Sequence, residues 1–331
     1  MTATRMQPTG GRLGTLTRDI RRGLQGIDLI GPTLPIAAIV GMYVWLGTLN
    51  PNAFSYVGLD LILGSAVPLA FAAVAQSFII TLGDIDLGVG YFVGLTNAIV
   101  AIILTDDPLV GLLCLVGVVI VYAAQGALIS ARGLHSITFT LGSSFVWLGI
   151  ARYIAPTPKA SAPGWLGTFF SFRPPLLPLP VWLILAGAAG GYLVMFRTRA
   201  GLLVRSAGSN QEAFVANGGS IVKARAYGYG FAGLFGVLSG LALTGVTRSA
   251  DVTASADYTL LSVAAVILGG ASFSGGKISM FGAVAGAVVF SAISALMTQL
   301  NIQSSLQVGA RGLALVLVIA ARLLLTNRRS G

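Results

Sequence analysis

The chain is a succession of apolar runs about 20 residues long, separated by short polar or glycine-rich breaks. A helix rises about 1.5 Å per residue, so each run matches a bilayer core of roughly 30 Å. Ten membrane segments are predicted, at about 30–49, 58–82, 87–105, 109–131, 136–154, 179–196, 222–246, 258–271, 280–298 and 306–322. The eighth is short. It reads either as a half-helix that enters without crossing or as a crossing of a locally thin region. The alternating ten-residue segments of a membrane β-barrel do not occur. The expected fold class is all-α, a polytopic membrane protein with about ten transmembrane helices. A basic segment at 1–28 precedes a membrane domain at 29–325, and 326–331 form a short tail.

Charge gives this layout a direction. Only 9% of the 331 residues are charged, where a soluble domain has about a quarter, and the net charge is +10. With the N-terminus inside, 15 Lys and Arg fall on the inner side: Arg5, Arg12, Arg18, Arg21, Arg22, Arg132, Arg197, Arg199, Arg205, Lys223, Arg225, Lys277, Arg322, Arg328 and Arg329. The outer side receives 4, and Arg311 lies within the last segment. That asymmetry puts both termini in the cytoplasm and accounts for the basic balance without nucleic acid. The lone Cys114 and lone His135 exclude an internal disulfide and argue against a His-based metal site. The Arg-rich start lacks the pattern of a cleavable signal peptide.

The longest polar interruption, within about 197–225, contains one short helix signal. Ser209 and Glu212 have capping-box spacing, and Gly218 and Gly219 stop the helix. About two turns of helix are not stable alone in water. Held between two spans on the cytoplasmic side, such a helix suits a grip by another protein. The loop at about 155–178 carries Trp165, Phe169, Phe170 and Phe172, which read as interfacial anchors or as a lid.

Few polar residues sit among the spans. Asp86, beside Asp84, reads as a helix cap or as a gate on a pathway, and the two roles are compatible. Asp107 before Pro108 is a helix start. Asp251 and Asp257 flank Val-Thr-Ala-Ser-Ala, which reads as a pathway entry or as an external loop. Gln76, Asn97 and Thr140 offer uncharged groups for a neutral solute or for helix–helix hydrogen bonds. Gln307 and Arg311 are four apart and share a helix face. Gly83–Gly90 and Gly269–Gly276 form a faint internal echo, matching only in their terminal glycines. No G-x-x-x-x-G-K-[ST] loop and no catalytic triad occurs, so any ATP is bound by another chain. The chain does not read as an enzyme.

Several of these segments resemble one family, the membrane permease subunits of bacterial ABC importers for ribose, xylose, inositol and related polyols. Gly269-Gly-Ala-Ser-Phe-Ser-Gly-Gly-Lys277 is similar to its G-G-T-S-L-x-G-G-[KR], with Gly282 and Gly286 at family-like spacing. Ile85-Asp-Leu-Gly-Val-Gly90 is similar to I-D-L-S-V-G, and Thr140-Leu-Gly142 to T-L-G. Ser249-Ala250, Thr253-Ala254 and Tyr258 resemble S-A-x-P-T-A-G-x-G-Y, and Gly201, Gly208, Asn210, Ala213 and Gly218 fit the family's cytoplasmic loop.

The resemblance implies a type II-like ABC importer permease in the bacterial inner membrane, embedded in lipid. Its partners would be a second permease copy, ABC ATPase subunits carrying ATP and Mg, and an extracytoplasmic solute-binding protein. Coupling to the ATPase falls on Ser209, Asn210, Glu212, Ala213, Phe214 and Gly218. The pathway candidates are Gln76, Asp86, Asn97, Thr140, Tyr258 and Arg311. The family usually has Gly at position 84, Arg at 148, Glu at 259, Asp at 261 and often Ala at 214. This chain has Asp84, Leu148, Thr259, Leu261 and Phe214. A small neutral sugar or polyol is the expected cargo. Nucleosides or a signalling furanose are the alternative on the same architecture, and an ion-driven secondary transporter is the alternative of another class.

Overall fold

The computed structural model describes residues 33–303 together with 306, 307, 309, 310, 312, 313 and 316. Arg311, both termini and most of the expected segment at 306–322 lie outside the described residues.

The described chain is helical apart from one pair of two-residue strands. Helix α1 spans Thr33–Leu49. Helices α2, Tyr56–Gly64, and α3, Ala66–Thr81, follow one another with a bend of 42°. Helix α4 runs over Val89–Asp106 and widens into a π-turn at Ile99–Ile103. There the Ser161 hydroxyl donates to the Ala101 carbonyl at 2.6 Å. Helices α5, Pro108–Ala131, and α6, Ser136–Ile154, follow. As expected, Asp107 caps α5, accepting from the N–H groups of Leu109 and Val110 at 3.0 and 3.1 Å, with Pro108 in the first turn.

The segment at 155–178 folds back as strand β1, Lys159–Ala160, and short helix α7, Gly164–Phe170. β1 pairs antiparallel with β2, Ser249–Ala250. The Phe170 ring lies against Gly245, whereas Trp165 and Phe172 remain exposed. Helix α8 is Leu179–Arg197, α9 Arg199–Ser209 and α10 Gln211–Ala216. Helix α11, Ile221–Thr247, is capped by Ser220. Helices α12, Tyr258–Leu268, and α13, Met280–Gln299, end the described spans.

Among the described residues, six helices are long and apolar enough to cross a membrane, or seven with the α2–α3 pair. Two shorter apolar helices, α1 and α12, accompany them. The eighth expected segment is a short helix, Tyr258–Leu268. Eleven residues reach only about 16 Å, and Gly269 then breaks the helix.

Small residues set the packing. Nearly every residue of α3 is buried between α11 and α13, with Phe78 stacked on Phe235 at 5.6 Å. Helices α12 and α13 approach backbone to backbone, because a Cβ on Gly282 would overlap the Gly269 carbonyl. About two-thirds of α4 and α13 is buried, against 28% of α5 and 22% of α6. The last two therefore form the rim.

Candidate functional site

The functional geometry lies where helices break. The first break, residues 82–88, separates α3 from α4. Backbone and carboxylates outside a helix must find partners when buried in a membrane protein. Here Thr140 of α6 and Asp86 itself meet backbone N–H groups, while Arg225 of α11 and Tyr122 of α5 meet the two carboxylates. The Asp84 carboxylate forms a two-pronged ion pair with Arg225 of α11. Nε contacts Oδ2 and Nη2 contacts Oδ1, each at 3.0 Å. The Asp84 side chain is 6% exposed and that of Arg225 18%. Asp86 is fully buried. Its Oδ1 accepts the Gly88 N–H at 2.6 Å, and its Oδ2 accepts the Tyr122 hydroxyl from α5. The Leu87 N–H donates to Thr140 Oγ1 of α6 at 3.0 Å. Tyr122 also sits in an aromatic cluster with Phe92, Trp147 and Tyr229.

Asp86 is thus not a simple cap. Gly88 occupies the N-cap position of α4 without a side-chain bond, and the Asp86 carboxylate closes a turn just before it. Thr140, the other family-like motif's first residue, is brought to the same site by its bond to Leu87.

The second break, residues 251–257, leads from β2 into α12. Thr253, Ala254 and Asp257 are exposed, while Val252 and Ser255 are buried. Ser255 is fully buried and its hydroxyl donates to the Gly90 carbonyl at 2.8 Å. Thr259 Oγ1 accepts the Gly90 N–H at 3.1 Å. A Cβ at Gly90 would stand 2.7 Å from the Ser255 carbonyl oxygen, so only glycine permits this meeting. Asn97 secures the same region. Its amide donates to Thr244 Oγ1 at 2.8 Å and to the Ser249 carbonyl at 2.9 Å, while its Oδ1 accepts the Asp251 N–H. Both Asn97 N–H groups are spent, which makes it a tie between α4, α11 and the break rather than a free solute contact. Tyr258 is half-buried at the start of α12. Gln76 is buried in α3, and neither end of its amide has a hydrogen-bond partner among the described residues.

A third cluster joins the glycine-rich breaks. The Gly276 N–H donates to the Thr81 carbonyl at 3.0 Å. A Cβ on Gly208, at the end of α9, would overlap that same carbonyl. The two segments of the faint internal echo also touch each other, since a Cβ on Gly83 would lie 3.6 Å from the Ser274 carbonyl oxygen, and the end of α9 is wedged beside them. Helix α9 is fastened to α8, since Arg205 donates to the Met195 carbonyl at 3.1 Å and lies over the Phe196 ring.

Helix α10 stands outward, with no residue buried. The expected capping box is corrected. Ser209 belongs to α9 and donates to the Arg205 carbonyl, while Asn210 is the cap and accepts the Ala213 N–H at 2.9 Å. Asn210 has the extended backbone a cap needs, so the next residue opens the helix. Glu212 is exposed in the first turn. The stop is as expected: Gly218 has φ 80°, and the N–H groups of Gly219 and Gly218 return to the Phe214 and Val215 carbonyls at 2.9 Å. This is a Schellman ending, whose usual apolar contact is Phe214 lying flat on Gly219. Phe214 is accordingly half-buried, and Val215 beside it is 52% exposed.

Arg225 and Tyr122 were not singled out from the sequence. Tyr122 is the only aromatic residue in the run 108–131, a signal that a polar tip within an aliphatic span has a partner.

The permease component of the branched-chain amino acid transport system is the family whose sequence profile matches, over residues 58–322. The chain belongs to this permease family. Its relatives include the ribose import permease protein of Escherichia coli K12, 27% identical over 295 residues covering 86% of this chain and 91% of the relative. The ribose import permease protein of Bacillus subtilis is 26% identical over 300 residues, covering 88% and 91%. The D-allose transport system permease protein of Escherichia coli K12 is 25% identical over 302 residues, with the same coverage. No solved structure matches. The family membership makes the chain a multi-pass membrane transport subunit and not an enzyme.

Proposed function

We propose that this permease carries a small neutral polar solute, a sugar or polyol, into the bacterial cytoplasm through the inner membrane. The work is done by separate ATPase subunits that bind ATP and Mg. A second permease copy completes the pathway, and an extracytoplasmic binding protein delivers the solute. The relatives named for ribose and allose support the solute class. The absence of charged side chains at 148, 259 and 261, where the sugar-permease pattern carries them, leaves the particular solute open to direct measurement.

The observation that carries the mechanism is the continuity from α10 to Asp86. α10 is exposed for a partner to grip, through Val215 and the outer face of the helix. Its two flanks are fixed to the core: α9 abuts Thr81, and α11 begins at Ile221 and bonds Asp84 one turn later through Arg225. Movement of α10 on ATP binding then pulls or releases the 82–88 break from both sides. Asp86, Thr140 and Tyr122 change position with it and open or close the pathway. Coupling rests on Asn210, Glu212, Ala213, Phe214, Val215 and Gly218, with Ser209 holding α9 beside them.

The experiment is solute uptake by proteoliposomes holding the complete transporter. Uptake stops when the partner ATPase cannot hydrolyse ATP, and it is insensitive to ionophores that collapse ion gradients. Uptake that survives ATPase inactivation and follows an ion gradient establishes the secondary-transporter reading instead. In the same assay Phe214→Asp abolishes uptake, because it replaces the apolar contact that closes α10 with a charge at its negative end.

A further inference from the structure

The rim helices α5 and α6 leave a groove of about 590 Å³ between them. Its walls are Val121, Ala124, Leu128, Phe139 and Val146, and Val222 of α11 closes one end. Three side chains with polar atoms also line it: Ser143, whose hydroxyl is spent on the Thr140 carbonyl, and Gln125 and Trp147, which are 6% and 5% exposed. Gln125 Nε2 and Trp147 Nε1 are buried donors with no hydrogen-bond partner among the described residues. Buried donors are almost always satisfied, so two orphans in one groove point to an acceptor that occupies it.

The occupant is constrained by shape, depth and charge. The walls from Val121 to Ala131 extend about 15 Å, half of a bilayer core of roughly 30 Å. Helices α5 and α11 run antiparallel, since Gly126 packs on Arg225 and Tyr229 while Gly233 packs on Tyr122. Ala131 therefore lies level with Val222. Arg132 and Lys223 follow directly in sequence, both exposed, and neither forms an ion pair among the described residues. An apolar groove about half a bilayer long, with two orphan donors in its lining and a cation next in sequence to each of the lining residues Ala131 and Val222, has the chemistry of an anionic phospholipid site. We propose that one anionic phospholipid binds here. An acyl chain fills the groove, an ester carbonyl accepts from Gln125 or Trp147, and the headgroup phosphate meets Arg132 and Lys223. Seated beside Trp147 and Tyr122, this lipid braces the helices that hold Asp86.

The test is native mass spectrometry of the full-length chain with its partner subunits, delipidated and then titrated with phosphatidylglycerol or phosphatidylcholine of identical chains. Wild type binds phosphatidylglycerol preferentially. The double variant Arg132→Gln/Lys223→Gln, whose exposed positions leave folding intact, weakens phosphatidylglycerol binding about tenfold and phosphatidylcholine binding little. Ala127→Trp fills the groove and removes both. Unchanged lipid binding in both variants overturns the proposal. So does a Val146→Cys cross-link between two copies that forms equally with and without lipid, since the groove is then covered by a second chain. Lipid binding is read without transport, so this test stands or falls apart from the proposed solute and ATPase.

Discussion

The break at 82–88 and the break at 251–257 meet around Gly90 and α4, yet they are held by different chemistry. The first is held by charge: Asp84 on Arg225, and Asp86 on Tyr122 and Gly88. The second is held at Gly90 by neutral hydroxyls, Ser255 and Thr259, and across to α11 by the Asn97 amide. The resemblance implies Gly at 84 and acids at 259 and 261, whereas this chain has Asp84, Thr259 and Leu261. Charge is thus concentrated beside the segment that leads to α10. A buried ion pair holds only while its geometry is good, because each desolvated charge is costly once its partner moves. Neutral hydrogen bonds in membrane proteins are worth about 0.6–2 kcal/mol and break with little penalty from stranded charge. On the proposed account the first break is the one that switches and the second is the fixed wall against which it moves.

Substitutions sharpen that difference. The largest effect is expected from Asp84→Ala, which strands the Arg225 guanidinium. Thermal unfolding should register a loss of about 3 kcal/mol, the low end for a broken buried pair because Arg225 is 18% exposed. Replacing both residues, Asp84→Ala with Arg225→Met, should recover most of that stability without recovering uptake. Asn97→Ala should cost less, about 2 kcal/mol, by leaving the Asp251 N–H and Ser249 carbonyl unmet, and should lower stability and uptake in proportion. Thr259→Val removes one bond to Gly90 and should cost about 1 kcal/mol while uptake continues. Asp107→Ala, outside both breaks, should cost about 1 kcal/mol as a lost cap and leave the transport rate unchanged. If Thr259→Val proves as damaging to uptake as Asp84→Ala, the two breaks are not different in kind.

Much of this architecture is legible in the sequence because it follows from local rules. The long apolar runs at 108–131, 136–154 and 221–247 became single helices within a residue or two of expectation. The Asp107-Pro108 start and the Gly218-Gly219 stop depend on neighbours in sequence and emerged as read. The Ser209 capping box failed because Asn210 competes one residue later, and spacing alone does not say which residue adopts extended backbone. The candidate site was half legible. Asp86 and Thr140 were named, but Asp84–Arg225 spans 141 positions, and Arg225 looked like one more inward-facing charge. Asn97 showed its polarity in the sequence but not its partners, which lie on α11 and beside β2.

The central claim is that force on α10 reaches the 82–88 break through Arg225 and Asp84. It is tested most directly by measuring ATP hydrolysis and solute uptake together in proteoliposomes carrying the complete transporter with the Asp84→Ala/Arg225→Met pair. The account predicts that hydrolysis continues, because α10 and its contact remain, while uptake per ATP falls to a small fraction of wild type. Uptake per ATP equal to wild type in a correctly folded variant would contradict it.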